Sequence, residues 1–433
     1  MEATPVLGLL GFALVILLLF LKVPIGFACA FVGLLGLWVI KGLTVTLESY
    51  GYISFFAVQN YALSVVPIFV WIGSLAFFSG LGVELFSAAR KWLGRLPGGL
   101  PIAAVVGSGG FAAITGSSLS AVATMGKVAY PELIKNKVDP LLAAGVIGCS
   151  GTFAILIPPS AALVFYAIFV EVSVGPLLLA AITPGLITVI IYVLSVMIRV
   201  KLNPALCPAS EKEVSWRERF GALQILLPVM TIFGSILGSI YFGIATPTEA
   251  ASLGLVVTLI TLVALKRFSF KIVTESVRET AFTTAVILTV ILGAMLLTPF
   301  LALTGVITLA TEFVTGLEVN RYIVLAGITL LYLVLGMLLD ALAMLALTLP
   351  FTFPIITGLG FHPVWFGVYI VKLVEIALVT PPVGMNIYVL KSIVPENVGI
   401  GLLFKSVWPF VICDLFIMVL IVVFPEIPLF LVN

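Results

Sequence analysis

Apolar residues fill this chain in long blocks almost free of charge, separated by short polar gaps. Blocks at about 4–21, 25–40 and 52–80 predict membrane helices, the last long enough to include an amphipathic arm. The block at 98–135 is interrupted midway by Ile114-Thr115-Gly116-Ser117-Ser118. An apolar run broken by small polar residues predicts a re-entrant hairpin, buried in protein. The block at 139–172 contains Pro158-Pro159. Proline lacks an N–H donor and clashes with the preceding turn, so this pair predicts a helix unwound inside the membrane. A further helix runs to about 198, giving five crossings and one hairpin.

The pattern then repeats. A shift of 223 residues aligns Pro5 with Pro228, Pro24 with Pro247, Pro131 with Pro354, Pro140 with Pro363, and Pro158-Pro159 with Pro381-Pro382. Such self-similarity predicts two copies of one unit. The first copy is 1–205, with scaffold helices over about 1–97 and a hairpin and broken helix over about 98–175. A cytoplasmic linker spans 206–223. The second copy is 224–433, with scaffold over about 224–319, hairpin and broken helix over about 320–395, and a last helix at about 400–424.

An odd number of crossings puts the second copy in the opposite orientation. Charge agrees with that under the positive-inside rule. Arg90, Lys91 and Arg95 make one first-copy gap basic, whereas its counterpart holds Glu312, Glu318 and Arg321. The gap near Lys41 and Glu48 is neutral, whereas its counterpart has Lys266, Arg267, Lys271 and Arg278 against Glu275 and Glu279. The expected fold is an all-α polytopic membrane protein of two inverted-topology repeats, each with a re-entrant hairpin and a discontinuous helix.

Composition fits. The chain has 433 residues, 62% hydrophobic and 9% charged, where a soluble domain carries about 25% charged residues. Its net charge of +2 and lack of a basic run give no sign of nucleic-acid binding. Cys29, Cys149, Cys207 and Cys413 are too scattered for a metal site or disulfide framework. No Lys or Arg precedes the first apolar block and Lys22 follows it, which predicts a spanning helix with its N-terminus outside. Enzyme readings fail. Gly107-Ser-Gly-Gly-Phe-Ala112 has no preceding strand, no Walker A motif occurs, and His362, the only histidine, reads as a helix cap.

Chemistry concentrates at the hairpin tips and the helix breaks. Ser117 aligns with Asp340 across the repeat, and Thr115 with Leu338, beside Gly116, Ser118 and Gly336. Hydroxyls, a carboxylate and glycine-exposed carbonyls are hard oxygen donors suited to a small cation. Helix N-termini at the same tips suit an anionic group. Small residues also permit close helix packing in membranes, so the serines alone do not decide. Asp340 is different, because a carboxylate inside an apolar span marks function. At the breaks, carbonyls of Ala154, Ile157, Ala377 and Thr380 are freed, and Ser160 and Asn386 are the polar side chains just beyond. Lys372 and Glu375, three apart, are expected to pair with each other.

Five segments in order resemble one family: Phe111–Ser118, Ala144–Ser160, Ala245-Thr-Pro-Thr-Glu-Ala-Ala251, Gly336–Asp340 and Thr380-Pro-Pro-Val-Gly-Met-Asn386. It is the large membrane (M) subunit of tripartite ATP-independent periplasmic (TRAP) transporters. The resemblance implies Na⁺-coupled import of an organic acid, of the sialic acid or C4-dicarboxylate class, by an elevator motion. It implies as partners a small four-helix membrane (Q) subunit and a periplasmic substrate-binding (P) protein, in a bacterial or archaeal inner membrane. Na⁺ would be the coupling ion, with no cofactor. Carried onto this chain, one Na⁺ site involves Ala112, Thr115, Ala154, Ile157 and Pro159. A second involves Gly336, Leu338, Ala377, Thr380 and Pro382. Substrate would lie near Ser117, Ser118 and Asp340, with Ser160 and Asn386 beside it. The alternative is a stand-alone Na⁺/dicarboxylate symporter of related architecture.

Overall fold

Prolines and polar caps set the helix boundaries in the computed structural model, which describes residues 4–208, 215–317, 319–336, 339–396 and 398–432. The first copy begins with α1 (Pro5–Phe20), α2 (Ile25–Lys41), α3 (Leu43–Gln59), α4 (Val65–Phe78) and α5 (Leu81–Leu93). The hairpin is α6 (Gly99–Thr115) and α7 (Ser118–Lys135). The broken helix follows as α8 (Pro140–Ser150), α9 (Phe153–Leu156) and α10 (Ala161–Phe169), then α11 (Val174–Leu202). The second copy runs α12 (Trp216–Tyr241), α13 (Pro247–Ala264), α14 (Phe270–Leu303) and α15 (Val306–Thr315). Its hairpin is α16 (Arg321–Leu335) and α17 (Ala341–Gly358), and its broken helix is α18 (Pro363–Val379) and α19 (Met385–Lys391). The chain closes with α20 (Ile400–Val423) and α21 (Glu426–Leu429).

Every regular element among the described residues is helical. Seven helices there are long and apolar enough to cross a membrane, and α8–α10 add an eighth, bent by 41° at its break. The protein is a multi-pass membrane protein. Its outer surface is apolar, with Leu10, Phe20, Ile190 and Ile260 among the exposed side chains.

The repeat in the residues is also a repeat of elements. α7 and α17 begin and end 223 positions apart, and α8 and α18 both start with proline. Proline suits that first position because its missing N–H would be unpaired there anyway. Asp139 caps α8 by accepting from Leu142 N at 2.9 Å, and His362 caps α18 by accepting from Val364 N at 3.2 Å. Contacts between copies are reciprocal too: α2 packs on α14 while its counterpart α13 packs on α4.

Two expectations need correction. The block at 52–80 is not one segment: α3 already starts at Leu43, and Asn60 ends it by accepting from Ala62 N at 3.0 Å. Glu48 therefore sits on a helix. In the second copy the charged stretch from Lys271 to Glu279, expected as a gap, forms the opening turns of α14. Ser269 caps that helix, accepting from Ile272 N at 3.2 Å, and Ser276 and Thr280 are buried while the charged side chains stay exposed. Glu318 lies outside the described residues.

The broken helices form the centre. In α18 every residue from Val364 to Val379 is buried, as expected for a helix apolar on every face except at Lys372 and Glu375. Lys372 sits in this core but does not pair with Glu375. It donates to Asp414 Oδ1 of α20 at 2.6 Å, and Tyr192 Oη of α11 donates to the other oxygen at 2.7 Å. Asp414 satisfies the lysine because it faces Lys372 from the neighbouring helix and is itself oriented by the tyrosine. Removing one partner leaves a buried charge bare, so Lys372→Met should destabilise the fold by about 3–5 kcal/mol. The double change Lys372→Met/Asp414→Leu should recover most of that loss, read by thermal denaturation of the purified protein.

Candidate functional site

The first hairpin turns where α6 gives way to Gly116, whose φ of 59° is the left-handed conformation glycine tolerates best. Its N–H donates to Ala112 O at 3.3 Å, and Thr115 Oγ1 donates to Phe111 O at 3.2 Å. Ser117 then starts α7, its Oγ accepting from Ser120 N at 3.4 Å. The second hairpin uses Asp340 at the equivalent position, its Oδ1 accepting from Ala343 N at 2.9 Å. A carboxylate at a helix N-terminus is favoured by the macrodipole as well as by the hydrogen bond.

Each tip sits on its own copy's broken helix. A Cβ added to Gly116 would fall 2.3 Å from the carbonyl oxygen of Pro159, and one added to Gly336 would fall 2.1 Å from Ala377 Cβ. Both proline pairs, Pro158-Pro159 and Pro381-Pro382, have cis peptide bonds. Beyond the first pair, Ser160 restarts the helix by accepting from Leu163 N at 3.3 Å. Beyond the second, Gly384 does so with φ 52°.

The tips enclose one side of a cavity of about 650 Å³. Thr115 to Ser120 come from the first tip, Asp340 to Leu342 from the second, and Pro159 from the first break. The opposite wall belongs to α4 and α14, which contribute Phe69, Phe77, Phe78, Glu279, Phe282 and Thr283. The described lining includes two carboxylates, Glu279 and Asp340, but no Lys, Arg or His.

The structure brings together only part of the expected set around this cavity. Thr115, Ser117, Ser118, Pro159 and Asp340 line it. Ala112, Ala154 and Ile157 are buried behind the first tip, and Ala377 is buried beneath Gly336. Thr380 and Pro382 lie at the second break, where Thr380 Oγ1 donates to Ile376 O at 2.6 Å. Leu338 falls outside the described residues. Ser160 and Asn386 are fully buried and do not reach the lining, and both amide atoms of Asn386 lack a partner. Glu375, on α18, is also fully buried. Ser118 approaches it, yet neither carboxylate oxygen has a hydrogen-bond partner of good geometry.

The α4 and α14 wall is the part that sequence reasoning missed. Glu279 was assigned to a charged gap. The available signal was its spacing to Thr283, four residues on, which puts both on one helix face; Thr283 Oγ1 approaches Glu279 Oε1 to 3.5 Å.

Comparison with known proteins now bears on the whole chain. Residues 12–427 match the family model described as the tripartite ATP-independent periplasmic transporter, DctM component. The chain is 30% identical over 378 residues to the C4-dicarboxylate TRAP transporter large permease protein DctM of Pseudomonas aeruginosa, covering 87% of each. It is 30% identical over 419 residues to the sialic acid TRAP transporter large permease protein SiaM of Vibrio cholerae, covering 96% of each. Among solved structures, the Alcanivorax borkumensis YdaH transporter shares the fold, with a TM-score of 0.62, 15% identity and 89% of each chain covered. These relatives are transport proteins rather than enzymes. The chain belongs to the DctM component family of tripartite ATP-independent periplasmic transporters.

Proposed function

We propose that this chain is the transporting subunit of a Na⁺-coupled system importing an organic acid through the inner membrane. One observation carries the reading: two hairpin tips, each seated on a helix break of its own copy, face a single shared cavity. Paired discontinuous helices near a repeat interface are the arrangement that transporters use to bind ions and solutes at the midplane. The two breaks interrupt the helical hydrogen-bond ladder, and backbone oxygens of that kind are hard ligands suited to a small cation. Ala112, Thr115, Ala154, Ile157 and Pro159 would form one Na⁺ site. Gly336, Leu338, Ala377, Thr380 and Pro382 would form the other.

Relatives named for C4-dicarboxylates and sialic acid support an organic acid as cargo. A large permease implies a small membrane subunit and a periplasmic binding protein. An isethionate relative from Oleidesulfovibrio alaskensis is named as a combined DctMQ permease, and this chain spans 59% of it. With inverted repeats and the N-terminus outside, hairpins and broken helices would move as one body past α4 and α14. The wall between these groups is largely apolar, which suits sliding.

Uptake into proteoliposomes tests the reading. Accumulation of the acid should require an inward Na⁺ gradient, the small subunit and the binding protein. Accumulation indifferent to Na⁺ would remove the coupling claim, and uptake by this chain alone would identify a stand-alone symporter.

A further inference from the structure

The charge of the cavity is the feature left unused by this reading. Asp340 and Glu279 face it, and its described lining has no cationic side chain. Behind Ser118 stands Glu375, buried and without a hydrogen bond of good geometry. Lys372, the buried cation on the same helix, is committed to Asp414 at 2.6 Å. Recognition of a dianion ordinarily relies on Arg or Lys forks and ammonium groups. A dicarboxylate here would instead share the cavity with two carboxylates, and like charges repel.

The remaining lining fits a different solute. Phe69, Phe77, Phe78 and Phe282 border the cavity, and aromatic rings attract cations. The N-terminal turn of α7, with Ser117 and Ser118, offers N–H and hydroxyl donors to a carboxylate. We infer that the cavity takes a zwitterion, an organic acid whose carboxylate meets the α7 tip while an ammonium group meets Asp340 and Glu279. This rests on the transport reading above and narrows its acid to one carrying a cation.

Direct binding to the full chain in lipid nanodiscs, in Na⁺ buffer, tests this with radiolabelled probes. 4-Aminobutyrate, aspartate and succinate share a four-carbon skeleton and differ in amine and carboxylate count; sialic acid adds a larger acid without a cation. 4-Aminobutyrate should bind about tenfold tighter than succinate, the worth of one charge-assisted hydrogen bond, with aspartate between them. Asp340→Asn should weaken 4-aminobutyrate about tenfold and leave succinate unchanged or tighter. Glu279→Gln should shift the preference in the same direction, so a single misfolded variant does not decide the matter. Tighter binding of succinate or sialic acid would overturn the inference and leave the transport reading standing. Binding of none of the four by a monodisperse chain would overturn the inference, and proteoliposome uptake decides the transport reading separately.

Discussion

Asp340→Asn is expected to lower uptake by about 10- to 100-fold while the protein stays folded. The two effects separate because Asp340 has two tasks. Its Oδ1 caps α17 by accepting from Ala343 N at 2.9 Å, and its charge faces the cavity. Asparagine keeps the cap, since Asn and Asp are nearly equal there, but gives up the charge. A hydrogen bond involving a charged group is worth about 1.5–3 kcal/mol, and each 1.4 kcal/mol is a factor of about ten in affinity. Asp340→Ala removes the cap as well and should cost roughly a further 1 kcal/mol of stability, visible as a lower melting temperature. Ser117, the matching residue of the first copy, caps α7 without a charge. Ser117→Ala should therefore lower stability by about 1 kcal/mol and uptake only modestly. Proteoliposome uptake and thermal denaturation on the same preparations distinguish these outcomes. Full uptake by Asp340→Asn would reduce Asp340 to a cap.

How far these features were legible in the sequence follows from their range along the chain. Helix breaks at Pro158-Pro159 and Pro381-Pro382 are local backbone chemistry, and the structure interrupts the helix at both. The hairpin turns were legible for the same reason: Gly116-Ser117 and Asp340 carry the turn and cap residues themselves. His362 as a cap belongs to this class. What failed was partner choice between elements. Lys372 and Glu375 share a helix face, so sequence spacing paired them, but the lysine bonds Asp414 from 42 residues away. Whether a side chain finds its partner on its own helix or on a neighbour depends on packing, which spacing does not encode. The α4 and α14 wall was lost for a related reason. Charged residues at the head of α14 resemble a loop in composition, whereas the Ser269 cap and the buried Ser276 and Thr280 show a helix end. The two copies also differ there, since α3 and α4 are separate helices whereas α14 is continuous, so the repeat misled where it was imperfect.

Gly116→Ala is expected to raise the Na⁺ concentration for half-maximal uptake by roughly tenfold or more, without changing the number of helices that form. Two independent costs act at this position. An L-residue at φ 59° carries a strain of about 1–2 kcal/mol. The new Cβ would also lie 2.3 Å from Pro159 O, a backbone atom with no flexible end to swing aside. Tip and break must then move apart, and the move widens the space in which their oxygens would face one ion. Strain that is relieved when the tip leaves this position counts against the ion-bound arrangement, and at 1.4 kcal/mol per decade that is about a tenfold change. Gly336→Ala tests the second copy by packing alone, because its backbone is ordinary helix and the added Cβ meets Ala377, with Cβ 2.1 Å and Cα 3.1 Å away, and the flexible end of Met344 at 3.1 Å. It should also weaken Na⁺ dependence, and less than Gly116→Ala does. Gly327, on α16 with nothing within 4 Å of an added Cβ, supplies the control, and Gly327→Ala should transport normally. An unchanged Na⁺ activation curve in Gly116→Ala would mean that the ion does not sit between the first tip and its break. Loss confined to Gly116→Ala, with Gly336→Ala normal, would assign coupling to the first copy alone.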